Sequence, residues 1–204
     1  MCPIGPLKRA TMQNYNWIPS WHDTGNCMDK RHIAWVYELL IRMKPMSTLE
    51  IGGYSGCSSS AFVAAGIDNA HFAEISPRAD FLSVVSGHGT VHQRKGSDIL
   101  RTIAGFDLVL VDGSHELEAV KEEIEQLLTY PPKVIIAHDV RSTSVGFPLC
   151  EGAAHLEQVL RAEGWLWEVD AEVREGERTD RGLLMATRDV GLIQMIREAK
   201  AVIV

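Results

Sequence analysis

The chain has 204 residues, 46% hydrophobic and 23% charged, the balance of a soluble globular protein with one substantial domain or two small ones. With 20 Lys and Arg against 27 Asp and Glu the formal charge is −7, and no basic run exceeds Lys8-Arg9 or Arg94-Lys95, so nucleic acid is not expected as a partner. No apolar run approaches the ~18 residues of a membrane span, and the N-terminal residues lack a secretory apolar run, so no membrane partner and a cytoplasmic location are expected.

Residues 1–27 are rich in Pro, Asn, Trp and Gly and show no sustained period. Tyr15, Trp17, Trp21 and His22 make the segment too apolar for a disordered tail, so it reads as an ordered arm packed on the domain or on a second copy of the chain. From Met28 the rhythm is helical: Ile33, Val36, Tyr37 and Leu40 recur at i, i+3, i+4 and i+7, and Pro45 ends the helix. Strands then alternate with helices. Residues 47–51 read as a strand, 57–65 as a helix and 70–75 as a strand, with a helix opened by Ser76-Pro77. Residues 90–93 follow as a third strand, with a short helix at 98–103.

The longest apolar strand is 106–111, and behind it a long helix carries Leu117, Val120, Ile124, Leu127 and Leu128 on one face. Residues 133–137 are a fifth strand. Near-continuous apolar strands separated by helices indicate a parallel sheet covered on both faces. Leu156, Val159 and Leu160 mark a helix that stops before Gly164. Two strands follow, 165–173 and 182–187, joined by a polar loop with no helix between them, which makes an antiparallel hairpin. The expected fold is therefore α/β: a doubly wound, mostly parallel, seven-stranded Rossmann-like sheet with an antiparallel C-terminal hairpin, built from residues 28–204 behind the arm 1–27.

The chemistry gathers at strand ends. The first strand runs into Glu50-Ile51-Gly52-Gly53-Tyr54-Ser55-Gly56, a glycine-rich turn that lets a ligand approach the backbone closely. It is not Gly-x-Gly-x-x-Gly, which argues against a nucleotide-binding oxidoreductase, and acidic Glu50 suits an amino-acid-bearing ligand better than a diphosphate. The spacing Glu50-x-Gly52-x-x-x-Gly56 resembles the first motif of the class I S-adenosylmethionine-dependent methyltransferases. That resemblance implies a cofactor site of Glu50, Gly52, Gly53, Tyr54, Ser55 and Gly56, with Glu74 at the second strand's end for the ribose hydroxyls. Ser97 and Asp98 would stand near the adenine, and Asp112 after the fourth strand would complete the site.

The segment Asp112-Gly113-Ser114-His115, with His138-Asp139 after the fifth strand, is similar to the small-molecule O-methyltransferase branch that includes cephalosporin-hydroxylase-like and macrocin-type enzymes. Tyr130-Pro131-Pro132-Lys133 departs from the Pro-Gly-Gly turn of that branch. The resemblance implies methyl transfer from S-adenosylmethionine to a hydroxyl of a small molecule, with Asp112, His115 and His138 as catalytic candidates. Strand ends four and five adjoin in this fold, so Asp112, His138 and Asp139 are candidate ligands for Mg²⁺ or Mn²⁺.

Other residues read more plainly. Ser114 is expected to cap the helix after the fourth strand. Cys2, Cys27, Cys57 and Cys150 form no Cys-x-x-Cys pair and read as isolated thiols. His22, His32, His71, His88, His92 and His155 show no ligand spacing and receive no role. Trp17, Trp21 and Phe147 are candidates for an aromatic wall over the substrate. Specificity is expected from the arm, from the loop 141–152, or from a second copy in a homo-oligomer. A methyltransferase-fold scaffold without catalysis is the other reading left open.

Overall fold

A computed structural model describes residues 15–20, 27–140, 150–171 and 182–203. Seven strands form one sheet: β1 (Thr48–Ile51), β2 (Ala70–Ala73), β3 (Thr90–His92), β4 (Leu108–Val111), β5 (Val134–His138), β6 (Leu166–Asp170) and β7 (Leu183–Thr187). The helices between and after them are α1 (Lys30–Met43), α2 (Ser59–Ala64), α3 (Ala79–Val85), α4 (Gly96–Thr102), α5 (Leu117–Thr129), α6 (Glu151–Ala162) and α7 (Val190–Ile203).

The strand order is β3-β2-β1-β4-β5-β7-β6. The first five strands pair in parallel, and β7 runs antiparallel to both β5 and β6. The expected hairpin is present, and its second strand lies inside the sheet while its first forms the edge. No helix among the described residues is long and apolar enough to cross a membrane.

Alternation within the strands explains why the sheet is covered on both faces. Leu108, Leu110, Val134 and Ile136 point into one core with Ile33 and Leu40 of α1, Phe62 of α2, Phe81 of α3 and Ile196 of α7. Val109, Val111, Ile135 and Ala137 point into the other, against Ile99 of α4, Val120 and Ile124 of α5, and Leu156 and Leu160 of α6. Every residue of β1, β4, β5 and β7 is buried. At ~25 cal/mol per Å² of apolar surface removed from water, these two layers are the main favourable term in folding.

The sequence reading stops at the last strand, whereas the structure adds α7. Ile193, Ile196, Ala199 and Ile203 form its buried stripe, and Trp35 of α1 donates its indole N–H to the Ile196 carbonyl at 3.0 Å. The described part of the arm packs as expected on the domain. Tyr15 and Ile18 are buried in the first core, and the Tyr15 hydroxyl donates to Glu38 Oε1 at 3.1 Å.

Candidate functional site

The chain lays down β1, β2 and β3 outward on one side, then crosses back to place β4 on the other side of β1. Strand order reverses between β1 and β4, and ligands of open α/β sheets bind in the crevice beyond the carboxyl ends of strands at such a point. The glycine turn and Asp112 both sit there.

The turn is held by close backbone approach. Gly52 has φ +89°, and a Cβ at that position would lie 2.3 Å from the Asp112 carbonyl oxygen. Only glycine lets the β1 end touch the β4 end this way. Gly53 faces the Phe81 ring, where a Cβ would stand 2.1 Å from the nearest carbon. Gly56 has φ +84°, and Tyr54 adopts φ 41° although it is not glycine. Ser55 is buried under the turn, and Tyr54 is 45% exposed, with the Arg78 guanidinium 4.8 Å from its ring centroid.

Glu74, at the end of β2, fixes the outer side of the turn. Its Oε2 accepts the Tyr54 N–H at 3.0 Å and its Oε1 accepts the Ser76 N–H at 2.9 Å. Each carboxylate oxygen has a further lone pair, so the group can still accept hydroxyls from a ligand. Glu50 lies on the inner side and is fully buried. Its carboxyl accepts the Ser59 hydroxyl, and burial pushes its pKa up to about 8, against the lowering effect of hydrogen bonds from Ser58 and Ser59. Glu50 thus ties the turn to the start of α2 and is predominantly protonated at neutral pH.

The acidic and imidazole groups converge on the other side of the crevice. His138 Nδ1 lies 3.0 Å from Asp112 Oδ1 and 3.4 Å from Asp139 Oδ1. His115 Nδ1 lies 3.6 Å from Asp139 Oδ2. Asp139 holds φ 59° at the end of β5, a left-handed conformation that Asp tolerates better than most residues and that costs of order 1 kcal/mol. Of the described non-glycine residues with positive φ, Lys44 caps α1, while Tyr54 and Asp139 both lie in this crevice. The His138 ring is 2% exposed, whereas the His115 side chain is 53% exposed.

Donor atoms of Asp112, His138 and Asp139 lie within 4.8 Å of one another, an oxygen-rich set that suits a divalent cation. His115, Asp139 and Cys150 form a second group of the same compactness that shares Asp139.

Residues 49–140 match the model of a family described as a methyltransferase domain. The match spans a little under half of the chain. No curated protein sequence matches it. Its fold is similar to that of an O-methyltransferase from Bacillus cereus solved with S-adenosylhomocysteine, at TM-score 0.64 and 18% identity over 86% of each chain. It is also similar to the O-methyltransferase of tomaymycin synthesis from Streptomyces achromogenes, solved with S-adenosylmethionine (TM-score 0.62, 18% identity, 79% of this chain and 81% of that one). A third similar structure is a putative caffeoyl-CoA O-methyltransferase from Staphylococcus aureus (TM-score 0.60, 12% identity, 82% and 87% covered). These likenesses show that the chain shares its fold, a Rossmann-like sheet with an antiparallel C-terminal hairpin, with O-methyltransferases of known structure.

Two expected cofactor residues have their side chains engaged elsewhere. The Ser97 hydroxyl donates to Glu122 Oε2 of α5 at 3.1 Å, and Asp98 pairs with Arg101 at 3.2 Å, one turn along α4. Ser114 acts one step ahead of the cap it was expected to form. Its Oγ accepts the Glu116 N–H at 3.2 Å, and Glu116 itself occupies the cap position. Trp17 packs at 4.9 Å on Tyr37, edge-on to Tyr15, as part of the core; Trp21 and Phe147 lie outside the described residues.

Two sequence readings need correction. The thiols of Cys27 and Cys57 are not isolated, since their sulfurs lie 2.7 Å apart, and Cys150 stands beside His115 and Asp139. Cys27 and Cys57 are 30 residues apart and Cys150 is 35 from His115, so no local motif reports either contact. His32, given no role, is fully buried with its ring edge-on to His138 at 5.7 Å. Burial holds its pKa well below the usual imidazole value, so it is neutral beside His138. Its Nε2 lies 3.7 Å from Asp170, whose other carboxylate oxygen accepts Arg31 at 3.1 Å. The signal that identifies it is tertiary: α1 crosses the sheet above β5, which sequence periodicity does not report.

Proposed function

We propose that the protein transfers a methyl group from S-adenosylmethionine to a hydroxyl of a small molecule. The observation that carries this reading is the contact of the Gly52 turn with the Asp112 backbone, which brings the glycine-rich strand end beside the acid–imidazole cluster of Asp112, His138 and Asp139. S-adenosylmethionine supplies an electrophilic methyl on a sulfonium, so the chain's task is to align an oxygen with it and receive a proton. Glu74 accepts the ribose hydroxyls while its bonds to Tyr54 and Ser76 hold it in place. Gly52 and Gly53 let the ligand reach the backbone, and Tyr54 lies along its exposed side.

The proton goes to His115. Its exposed ring stands beside the Asp139 carboxylate, 3.6 Å from Nδ1, close enough for the carboxylate to stabilise the imidazolium that proton transfer creates. His138 is buried and serves instead to position Asp112, whose carboxylate it contacts. When a Mg²⁺ or Mn²⁺ ion is bound, Asp112, His138 and Asp139 would hold it, and the ion would lower the pKa of a coordinated hydroxyl. A net charge of −7 favours a small acceptor over a polyanion.

Calorimetric titration with S-adenosylhomocysteine tests the cofactor. The wild type should bind, and Glu74→Ala should bind ~10- to 100-fold more weakly for the loss of two hydrogen bonds. Absence of binding by the wild type overturns the reading. Binding without turnover of any catechol or phenol in the presence of Mg²⁺ overturns the O-methyl transfer and leaves a scaffold.

A further inference from the structure

Cys27 lies three residues ahead of α1, and Cys57 directly follows the last glycine of the β1–α2 turn. Their Sγ atoms are 2.7 Å apart. Non-bonded heavy atoms ordinarily rest about 3.5–4.0 Å from one another, and a disulfide bond is about 2.05 Å long. The two sulfurs therefore stand nearer to bonding distance than to ordinary contact. The Ser55 hydroxyl completes a triangle with them, 3.2 Å from Cys27 Sγ and 3.5 Å from Cys57 Sγ, where its O–H can donate to a thiolate on either.

We propose that Cys27 and Cys57 are a reversible redox pair, which a peroxide converts to a disulfide that staples the segment before α1 to the glycine-rich turn. The two thiols differ in a way that sets the order of events. Cys57 is 3% exposed, whereas Cys27 is half-buried, so the peroxide meets Cys27 first. The hydrogen bond with Cys27, with burial, raises the Cys57 thiol above its ordinary pKa, so Cys57 is the poorer nucleophile toward the peroxide and reacts second, with the sulfenic sulfur already beside it.

In the first step the Cys27 sulfur attacks one peroxide oxygen and the O–O bond breaks. The thiol becomes a sulfenic acid, and the peroxide leaves as an alcohol, or as water when it is hydrogen peroxide. In the second step the Cys57 sulfur attacks the sulfenic sulfur, the S–OH bond breaks, and the hydroxyl leaves with the Cys57 proton as water. The pair gives up two electrons in all, both taken by the peroxide. A dithiol reverses the change by thiol–disulfide exchange.

The bridge would close a loop of about 31 residues in the unfolded chain and so stabilise the fold. It would also fix Cys57, and with it the turn that begins at Gly52. The proposal stands on the sulfur geometry and is independent of the methyl-transfer reading, since neither its chemistry nor its test uses the cofactor.

The test treats the full-length reduced protein with a small excess of hydrogen peroxide, followed by alkylation, intact mass and peptide mapping. The expected product has lost two hydrogens and yields a cross-linked peptide joining Cys27 to Cys57, which dithiothreitol abolishes. Its melting temperature should rise by ~5–10 °C over the reduced form. The Cys2→Ser/Cys150→Ser double variant should behave like the wild type, and Cys27→Ser should give no intramolecular bridge. Recovery of Cys27 as a sulfinic acid with Cys57 still alkylatable overturns the proposal. So does a bridge from Cys27 to Cys2 or to a second chain. Mapping of the wild type decides the matter even if a serine variant fails to fold.

Discussion

The two halves of the crevice are built from different materials. The half at β1 and β2 is made by backbone: glycines at positive φ, a turn pressed on the Asp112 carbonyl, and a carboxylate that holds two amides. The half at β4 and β5 is made by side chains: two carboxylates and two imidazoles within a few ångströms, one of them backed by a buried histidine from α1. A cofactor common to many enzymes needs a fixed shape, which backbone supplies without depending on protonation. Proton transfer needs groups that titrate and turn, which only side chains supply. The difference teaches that damage to the first half should unfold or unload the protein, whereas damage to the second should leave it folded, loaded and slow.

The largest effect is expected at Gly52. In Gly52→Ala the new Cβ meets the Asp112 carbonyl oxygen at 2.3 Å, and alanine is strained at φ +89° besides. Overpacking and backbone strain together should cost about 3 kcal/mol or more. Thermal melts should show a fall of ~10 °C, and S-adenosylhomocysteine binding should be lost. Gly66→Ala is the matched control, because Gly66 has φ +65° but no atom within 4 Å of a Cβ. It should lose only about 1 kcal/mol and keep binding. Equal losses in the two variants would remove the distinction between a shaped turn and an ordinary one.

The second prediction concerns the other half. His115→Gln removes the exposed imidazole but leaves Asp112, His138 and the glycine turn as they are. kcat for a catechol acceptor should fall by ~10²- to 10⁴-fold. The dissociation constant for S-adenosylhomocysteine and the melting temperature should stay near wild type. Unchanged kcat would transfer the base to His138. A parallel loss of cofactor affinity would show that the two halves are not separable.

Much of this was legible in the sequence because it depends on local order. The apolar runs of β4 and β5 announce burial on both faces, and the Glu50 to Gly56 spacing places a glycine turn at a strand end. Sequence also locates Asp112, His138 and Asp139, since a parallel sheet must carry successive strand ends to one edge. What it hid was chemistry made by approach across the fold. His32 is a helix residue whose role depends on how α1 lies over β5, and Cys27 meets Cys57 only through the path of the segment before α1. Ser97 shows another such approach: its hydroxyl donates to Glu122 of α5, 25 residues along the chain. The helix α7 was missed because its apolar stripe follows a strand with only a two-residue break, Arg188-Asp189.

The smallest expected effect concerns Glu50, the buried carboxyl of β1. Burial raises the Glu50 pKa from an ordinary 4.5 to about 8, and likewise raises Glu123 to about 7. A carboxyl whose pKa is higher in the folded state binds its proton more tightly there than in the unfolded chain. Its contribution is therefore greatest at low pH and is lost as the pH rises from the unfolded value through the folded one. The Glu50 and Glu123 contributions should be lost between pH 5 and pH 8, while His32, His71 and His92, whose pKa values burial lowers, add stability as the pH rises through the ordinary imidazole value. Glu50→Gln keeps an uncharged group of the same shape, so urea melts at pH 5 and pH 8 should lose the Glu50 part of the dependence, with Glu123 and the three histidines supplying what remains. Were the slope unchanged in Glu50→Gln, the Glu50 carboxyl would be ionised and facing the crevice, and the turn could no longer be counted as shape held independently of protonation.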